Sequence, residues 1–220
     1  ILDLFRAGGV FAHAHINYKS GVAPGINMLG AACVSQNLDL VDFMLTRMRP
    51  AGVPFATGSH SSVTPGRDNV PYFDQEDRAQ ATRVAAQLGT PRVLEHMMKA
   101  AKMRASSEDS RGVSLLVYAL SGNNLPVVKY LLEDRKAGSS MKASDTPNRK
   151  DKNVLQLAAE TCSGRIFELL LEYFERSMRR FVSAKILALI RASVNSSVDA
   201  GRKLAAIYRL LLRNYKLWEA

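Results

Sequence analysis

Four stretches of this 220-residue chain align without gaps over about twenty residues each, and that register restricts the fold more than any single motif does. They read NMLGAACVSQNLDLVDFML (27–45), QATRVAAQLGTPRVLEHMM (80–98), SLLVYALSGNNLPVVKYLL (114–132) and NVLQLAAETCSGRIFELLL (153–171). In each, a small residue (Ala32, Ala85, Ala119, Ala158) is followed eight and nine places on by an apolar pair: Leu40-Val41, Val93-Leu94, Val127-Val128 and Ile166-Phe167. The alanines are 53, 34 and 39 residues apart.

The spacing predicts two short helices per unit. The first carries alanine where a neighbouring backbone comes close. The second has apolar residues at i, i+1, i+4 and i+5, as in Val127, Val128, Leu131 and Leu132, which make one buried stripe. Pro91 and Pro126 sit just ahead of such stripes, where a first-turn proline loses no helical hydrogen bond. Gly122 and Gly164 fall between the helical stretches, and Gly25 and Gly112 each precede a unit by two residues, as a turn needing positive φ would require.

The frame resembles the ankyrin-repeat family, most closely in NVLQLAAETCSGRIFELLL and RGVSLLVYALSGNNLPVVKYLL, and the resemblance covers roughly residues 1–175. ILDLFRAGG at the start looks like the end of a further, truncated unit. No unit has the family's T-P-L-H. The four positions read Asn27-Met28-Leu29-Gly30, Gln80-Ala81-Thr82-Arg83, Ser114-Leu115-Leu116-Val117 and Asn153-Val154-Leu155-Gln156. The hydrogen bonds that Thr and His supply in the family are therefore missing or replaced; Thr82 stands where leucine is usual and Cys162 where glycine is usual, and a less ideal stack is expected. Tetratricopeptide and HEAT-like helix pairs are the rival arrays, but the tetratricopeptide Trp/Tyr/Pro positions are not found. The fold class expected is all-α, an ankyrin-like α-solenoid closed by a C-terminal helical cap.

The resemblance implies recognition of protein along a concave surface made by the first helices and the hairpin tips. Position by position this selects Val34 and Ser35, Gln87 and Leu88, Ser121 and Gly122, Glu160 and Thr161. At the tips it selects Glu76, Asp77, Ser110, Arg111, Arg149, Lys150 and Lys152. Units are expected at about 25–50, 78–104, 112–137 and 151–176, with an insert at 50–74 rich in Pro, Gly and Ser. A functional excursion and a tolerated loop both remain open for that insert, as do polyanion contact and plain solvation for the basic stretch 135–152.

Charge singles out the end of the chain. Lys and Arg number 30 against 20 Asp and Glu, a formal charge of +10, yet residues 176–220 hold ten basic and two acidic side chains, or +8. There Phe181, Val182, Ile186, Leu189 and Ile190 form one apolar stripe, and Leu204, Ile207, Tyr208, Leu211, Leu212, Tyr215 and Trp218 form a second, which predicts a capping helical pair. Tyr208, Tyr215 and Trp218 could stack on bases, but their place on the second stripe favours core packing. Arg202, Arg209, Arg213 and Lys216 lie beside it within roughly 60° of one another. With Arg176, Arg180 and Arg191 they are candidates for contact with an anionic partner, RNA phosphate or an acidic protein surface. A solubilising outer face is the other reading.

No chemistry is expected. Gly138 to Lys142 lacks the spacing of a phosphate loop, His13 and His15 lack a third metal ligand, and His60 between Ser59 and Ser61 has no orienting acid. Cys33 and Cys162 read as core thiols, and two cysteines suit a reducing intracellular compartment, cytosol and organelle matrix staying open. No run approaches the ~20 apolar residues of a membrane span. The sequence therefore leads to a non-catalytic scaffold without cofactor or metal that binds one or more proteins. The alternative is a structural subunit of a ribonucleoprotein, such as an organellar ribosome.

Overall fold

A computed structural model describes residues 27–46, 73–110, 112–133, 154–177, 183–195 and 198–215, with backbone alone at 175–177, 183–188 and 214–215. These residues belong to two compact units, one within 1–103 and one within 104–220. They contain helices and an isolated β-bridge between Glu108 and Ser114, with no strand among them.

In the first unit α1 (Met28–Val34) and α2 (Leu38–Thr46) form one pair, α3 (Gln75–Leu88) and α4 (Pro91–Ala100) the next. First helix packs on first helix, α1 on α3, and second on second, α2 on α4. The alanines make the first contact close: Ala32, Ala81, Ala85 and Ala86 are buried, with Leu29, Cys33 and Val84 between them. Val41, Met44, Val93, Leu94 and Met97 supply the expected second-helix stripes. His96 Nε2 lies 2.7 Å from Asp42 Oδ1 and ties the two second helices together at their rim.

The second unit repeats the pattern. α5 (Leu115–Ser121) with α6 (Leu125–Glu133) precedes α7 (Val154–Thr161) with α8 (Gly164–Ser177), and α5 packs on α7 as α6 does on α8. Ile166, Phe167, Leu170, Leu171 and Phe174 bury the length of α8, each large side chain worth about 1.5–3 kcal/mol of transfer free energy. A last pair, α9 (Ser183–Val194) and α10 (Ala200–Tyr215), continues the stack: α9 lies on α7 and α10 on α8. The sequence frame stops at about 175, yet the helix pairing does not.

The missing T-P-L-H bonds are replaced in several ways. Asn27 caps α1 by accepting from Gly30 N at 2.8 Å, and its Nδ2 donates to the Asp77 carbonyl at 3.0 Å, joining neighbouring units. Thr82 is fully buried and donates to the Arg78 carbonyl at 2.7 Å, so its hydroxyl is satisfied at a leucine position. At the turn between paired helices, the four aligned residues are Gln36, Gly89, Asn123 and Cys162. Gln36 and Asn123 take positive φ, 60° and 51°, while Gly89 does not. Glycine at 89 answers a close approach instead: a Cβ there would come within 2.7 Å of the Ala85 carbonyl oxygen. The next residue starts the second helix, Asn37, Thr90 and Asn124 each accepting through its side chain from a backbone N–H three residues on.

Two local expectations change. Glu76 and Asp77 lie in the first turn of α3, not on a hairpin tip. Asp74 and Asp77 form a capping box that starts this helix at Gln75, five residues before the aligned segment. Gly164 opens α8 and does not lie between helices, whereas Gly122 lies in its turn as expected, beside the left-handed Asn123; Gly112 has the expected positive φ of 72°, and Gly25 lies outside the described residues.

Candidate functional site

The C-terminal ends of the first helices carry the residues that the repeat frame selects for recognition. In the first unit α1 ends on Val34 and Ser35 and α3 on Gln87 and Leu88; Val34, Ser35 and Leu88 are exposed and Gln87 half-buried. In the second, Ser121 and Thr161 are exposed at the ends of α5 and α7, with Gly122 and Glu160 half-buried. The three hydroxyls donate back into their own helices: Ser35 to Ala32 O at 2.7 Å, Ser121 to Tyr118 O at 2.8 Å, Thr161 to Leu157 O at 2.8 Å. Their donor capacity is used within the chain, and Ser35 Oγ also accepts from Asn37 N at 3.4 Å. At this register the first unit exposes Val34 and Leu88 beside Ser35, and the second exposes Ser121 and Thr161.

One hairpin tip is described, at 104–110 and 112–113. Asp109 organises it by accepting from Val113 N and from the Tyr118 hydroxyl, each at 2.8 Å, and leaves Ser110 exposed at the apex. Arg111, Arg149, Lys150 and Lys152 lie outside the described residues, as do Arg180, Lys216 and Trp218, the repeat fragment at 1–10, nearly all of the 50–74 insert and the loop 135–152. Arg176 lies in the last turn of α8, where the backbone alone is described.

The turn between α7 and α8 is the most connected polar locus of the second unit. Cys162 Sγ donates to Leu120 O at 3.4 Å, and Ser163 N donates to Asn123 Oδ1 at 2.9 Å, both partners coming from the α5–α6 turn. From the other side Gly164 N donates to Asp199 Oδ2 at 2.9 Å, and Lys203 Nζ donates to Ala159 O at 2.7 Å. The first turn of α10 therefore grips two helix ends at once, a carboxylate at the start of α8 and an ammonium at the end of α7. Each charge has the sign that the adjacent helix dipole favours.

Lys203 is fully buried, and burial lowers its pKa, opposed by the neighbouring Cys162 and by the charge of Asp199. Both cysteines are buried free thiols; burial pushes Cys33 up to about 12 and raises Cys162 against the opposing Thr161 hydrogen bond and Lys203 charge.

The cationic row of α10 is partly engaged within the molecule. Arg202 Nη2 and Arg209 Nη2 reach the two oxygens of Glu168 on α8 at 2.7 and 2.6 Å. Burial pushes the Glu168 carboxyl upward, but the hydrogen bonds and charges of Arg202 and Arg209 more than cancel that and hold it below the ordinary carboxylate range. The Arg202 stem lies over Gly164, where a Cβ would come within 2.7 Å of it. Arg213 lines the groove between α8 and α10 with Glu172, and Arg191 is exposed on α9.

The buried face of α10 also differs from the expected stripe. Lys203, Ala206, Ile207 and Leu210 are buried, while Tyr208 and Leu212 are exposed, 57% and 67%. Tyr208 is not a core residue. The helix is turned so that Lys203 meets the Ala159 carbonyl and the small Ala206 allows close packing, which leaves Ile207 buried and moves Tyr208 and Leu212 outward. Asp199, Lys203, Glu168 and Asn123 escaped sequence reasoning. The available signal was a lysine in helical register with Ala206, Ile207 and Leu210.

Among the described residues no group of three His, Cys, Asp or Glu is placed to hold a metal ion, and no helix is long and apolar enough to cross a membrane. No curated protein and no solved structure matches the chain. Residues 83–181 match the family described as ankyrin repeats (3 copies). Arrays of this kind are protein–protein interaction scaffolds and are generally non-catalytic. Helix pairing, turn register and that match agree, and residues 83–181 carry ankyrin repeats.

Proposed function

We propose that the protein is a non-catalytic interaction subunit of a larger assembly, in which residues 1–175 form the repeat array and 176–220 the basic helical pair that closes it. The array holds a protein partner along the ends of its first helices. The observation that carries this reading is the recurrence of exposed residues at one register: Val34 and Ser35, Leu88, Ser121 and Thr161, each following a buried alanine helix. The second contact, to an anionic partner, is made by the basic pair, whose segment holds +8 of the chain's +10 charge.

A photo-crosslinking amino acid at Gln87 or Glu160 tests the first contact against the same probe at Lys99 or Lys129, exposed on second helices. Partner adducts are expected from the first two positions and not from the last two. Equal yields from all four contradict the reading.

A further inference from the structure

A stacked helix pair has two broad faces, one against the preceding repeat and one where the next would lie. On α10 the first face is Lys203, Ala206, Ile207 and Leu210. Helical geometry puts Gly201, Ala205, Tyr208 and Leu212 directly opposite, at i, i+4, i+7 and i+11, and all four are exposed. At Gly201 an added Cβ would meet nothing within 4 Å, so this side is open. Val194 at the end of α9, 58% exposed, and Val198 before α10 are further exposed apolar residues of this last pair. A terminal repeat that ended an array would present a polar outer face. This one presents tyrosine, leucine and valine.

We propose that this end face, centred on Ala205, Tyr208 and Leu212, docks an acidic amphipathic helix of a partner protein. The proposal rests on the reading of the basic pair as an anionic contact and gives that contact a chemistry. The shape argument is the spacing: Ala205, Tyr208 and Leu212 form a stripe about 10 Å long on a surface type that packs helices in every preceding pair. The small Gly201 and Ala205 allow a second backbone to come close.

The charge argument selects the sign. Arg202, Arg209 and Arg213 border the stripe along one flank of α10, in a segment of net charge +8. A second copy docked here would set that charge against itself, whereas an acidic helix would neutralise it. Nucleic acid fits less well: the face offers one ring, Tyr208, for stacking, and Leu212 and Ala205 beside it have no use for a base or a phosphate.

The test measures fluorescence anisotropy with the whole chain and three labelled probes: a synthetic helical peptide with leucine on one face and glutamate on the other, its lysine-for-glutamate counterpart, and poly(U) RNA. The acidic peptide should bind and the lysine peptide should not. The double substitution Tyr208→Ser with Leu212→Ser, checked for helicity by circular dichroism, should weaken the acidic peptide by about tenfold or more at unchanged charge. It should leave any poly(U) binding as it was. Full affinity in this variant overturns the proposal, as does an equal loss for poly(U), or a concentration-dependent dimer that Leu212→Ser dissociates. Charge reversal at Arg191 and Arg213 separates the two levels. A peptide lost there but indifferent to Tyr208→Ser with Leu212→Ser overturns helix docking alone. Undiminished binding of every anionic probe, or no anionic binding by the parent, overturns the wider reading as well.

Discussion

Lys203 gives the sharpest test of how the last helix pair is held. Its ammonium is fully buried against the Ala159 carbonyl at 2.7 Å, an oxygen near the end of α7 whose usual donor, Ser163 N, is turned to Asn123. Lys203→Ala removes three buried methylenes, about 2.4 kcal/mol at ~0.8 each. It also removes a hydrogen bond from a charged donor, roughly 1.5–3 kcal/mol. Relief of the ammonium's desolvation offsets part of this, leaving a net loss of about 3 kcal/mol. Lys203→Met keeps the packing and the relief but orphans the carbonyl, for a net loss of about 1 kcal/mol. In urea unfolding followed by circular dichroism, a slope of about 2 kcal/mol/M turns these into midpoint drops of about 1.5 M and 0.5 M. Burial lowers the folded-state pKa of Lys203, so the unfolded chain keeps this proton to higher pH. The parent should therefore gain stability relative to Lys203→Met as pH rises from that depressed value toward the ordinary lysine range. A Lys203→Ala midpoint within about 0.2 M of the parent would refute the clamp.

Three further outcomes follow from the same contacts. Glu168→Gln should cost about 1–2 kcal/mol at neutral pH, a modest figure because both arginines are about half exposed; since the folded-state pKa of Glu168 is depressed, the parent's advantage is present above the ordinary carboxylate range and should vanish as pH falls through the folded value, read from urea midpoints across pH. Asn123→Ala should be less stable than Asn123→Gly by about 1 kcal/mol in the same assay, because φ is 51° and both variants lose the bond to Ser163 N; equal stabilities would remove the left-handed turn from the account. Gly89→Ala should lower the thermal midpoint by several degrees, as its Cβ would press on helix backbone at 2.7 Å; an unchanged midpoint would show that the close approach is not needed.

The repeat pairs were legible in the sequence because burial at helical spacing writes itself into apolar residues. The alanine register located the helix pairs α1–α2, α5–α6 and α7–α8 and the second-helix stripes of all four repeats. The early start of α3 was missed because a capping box is polar and leaves no mark on hydrophobic periodicity. The orientation of α10 was missed for a related reason. Counting apolar residues favours Leu204, Tyr208, Leu211 and Leu212, but the helix seats a lysine inward to satisfy a carbonyl 44 residues away. A lone acceptor at such separation is invisible to any local pattern. The basic stripe was legible as charge, though its capture by Glu168 was not.

The central claim, that this chain with its ankyrin repeats works by holding protein, is met most directly by affinity purification at low and at high salt after nuclease treatment. The account predicts a protein retained at both salt concentrations through the array, with a further acidic protein released from the basic pair at high salt. Recovery of nucleic acid alone, lost on nuclease treatment or at high salt, would contradict it.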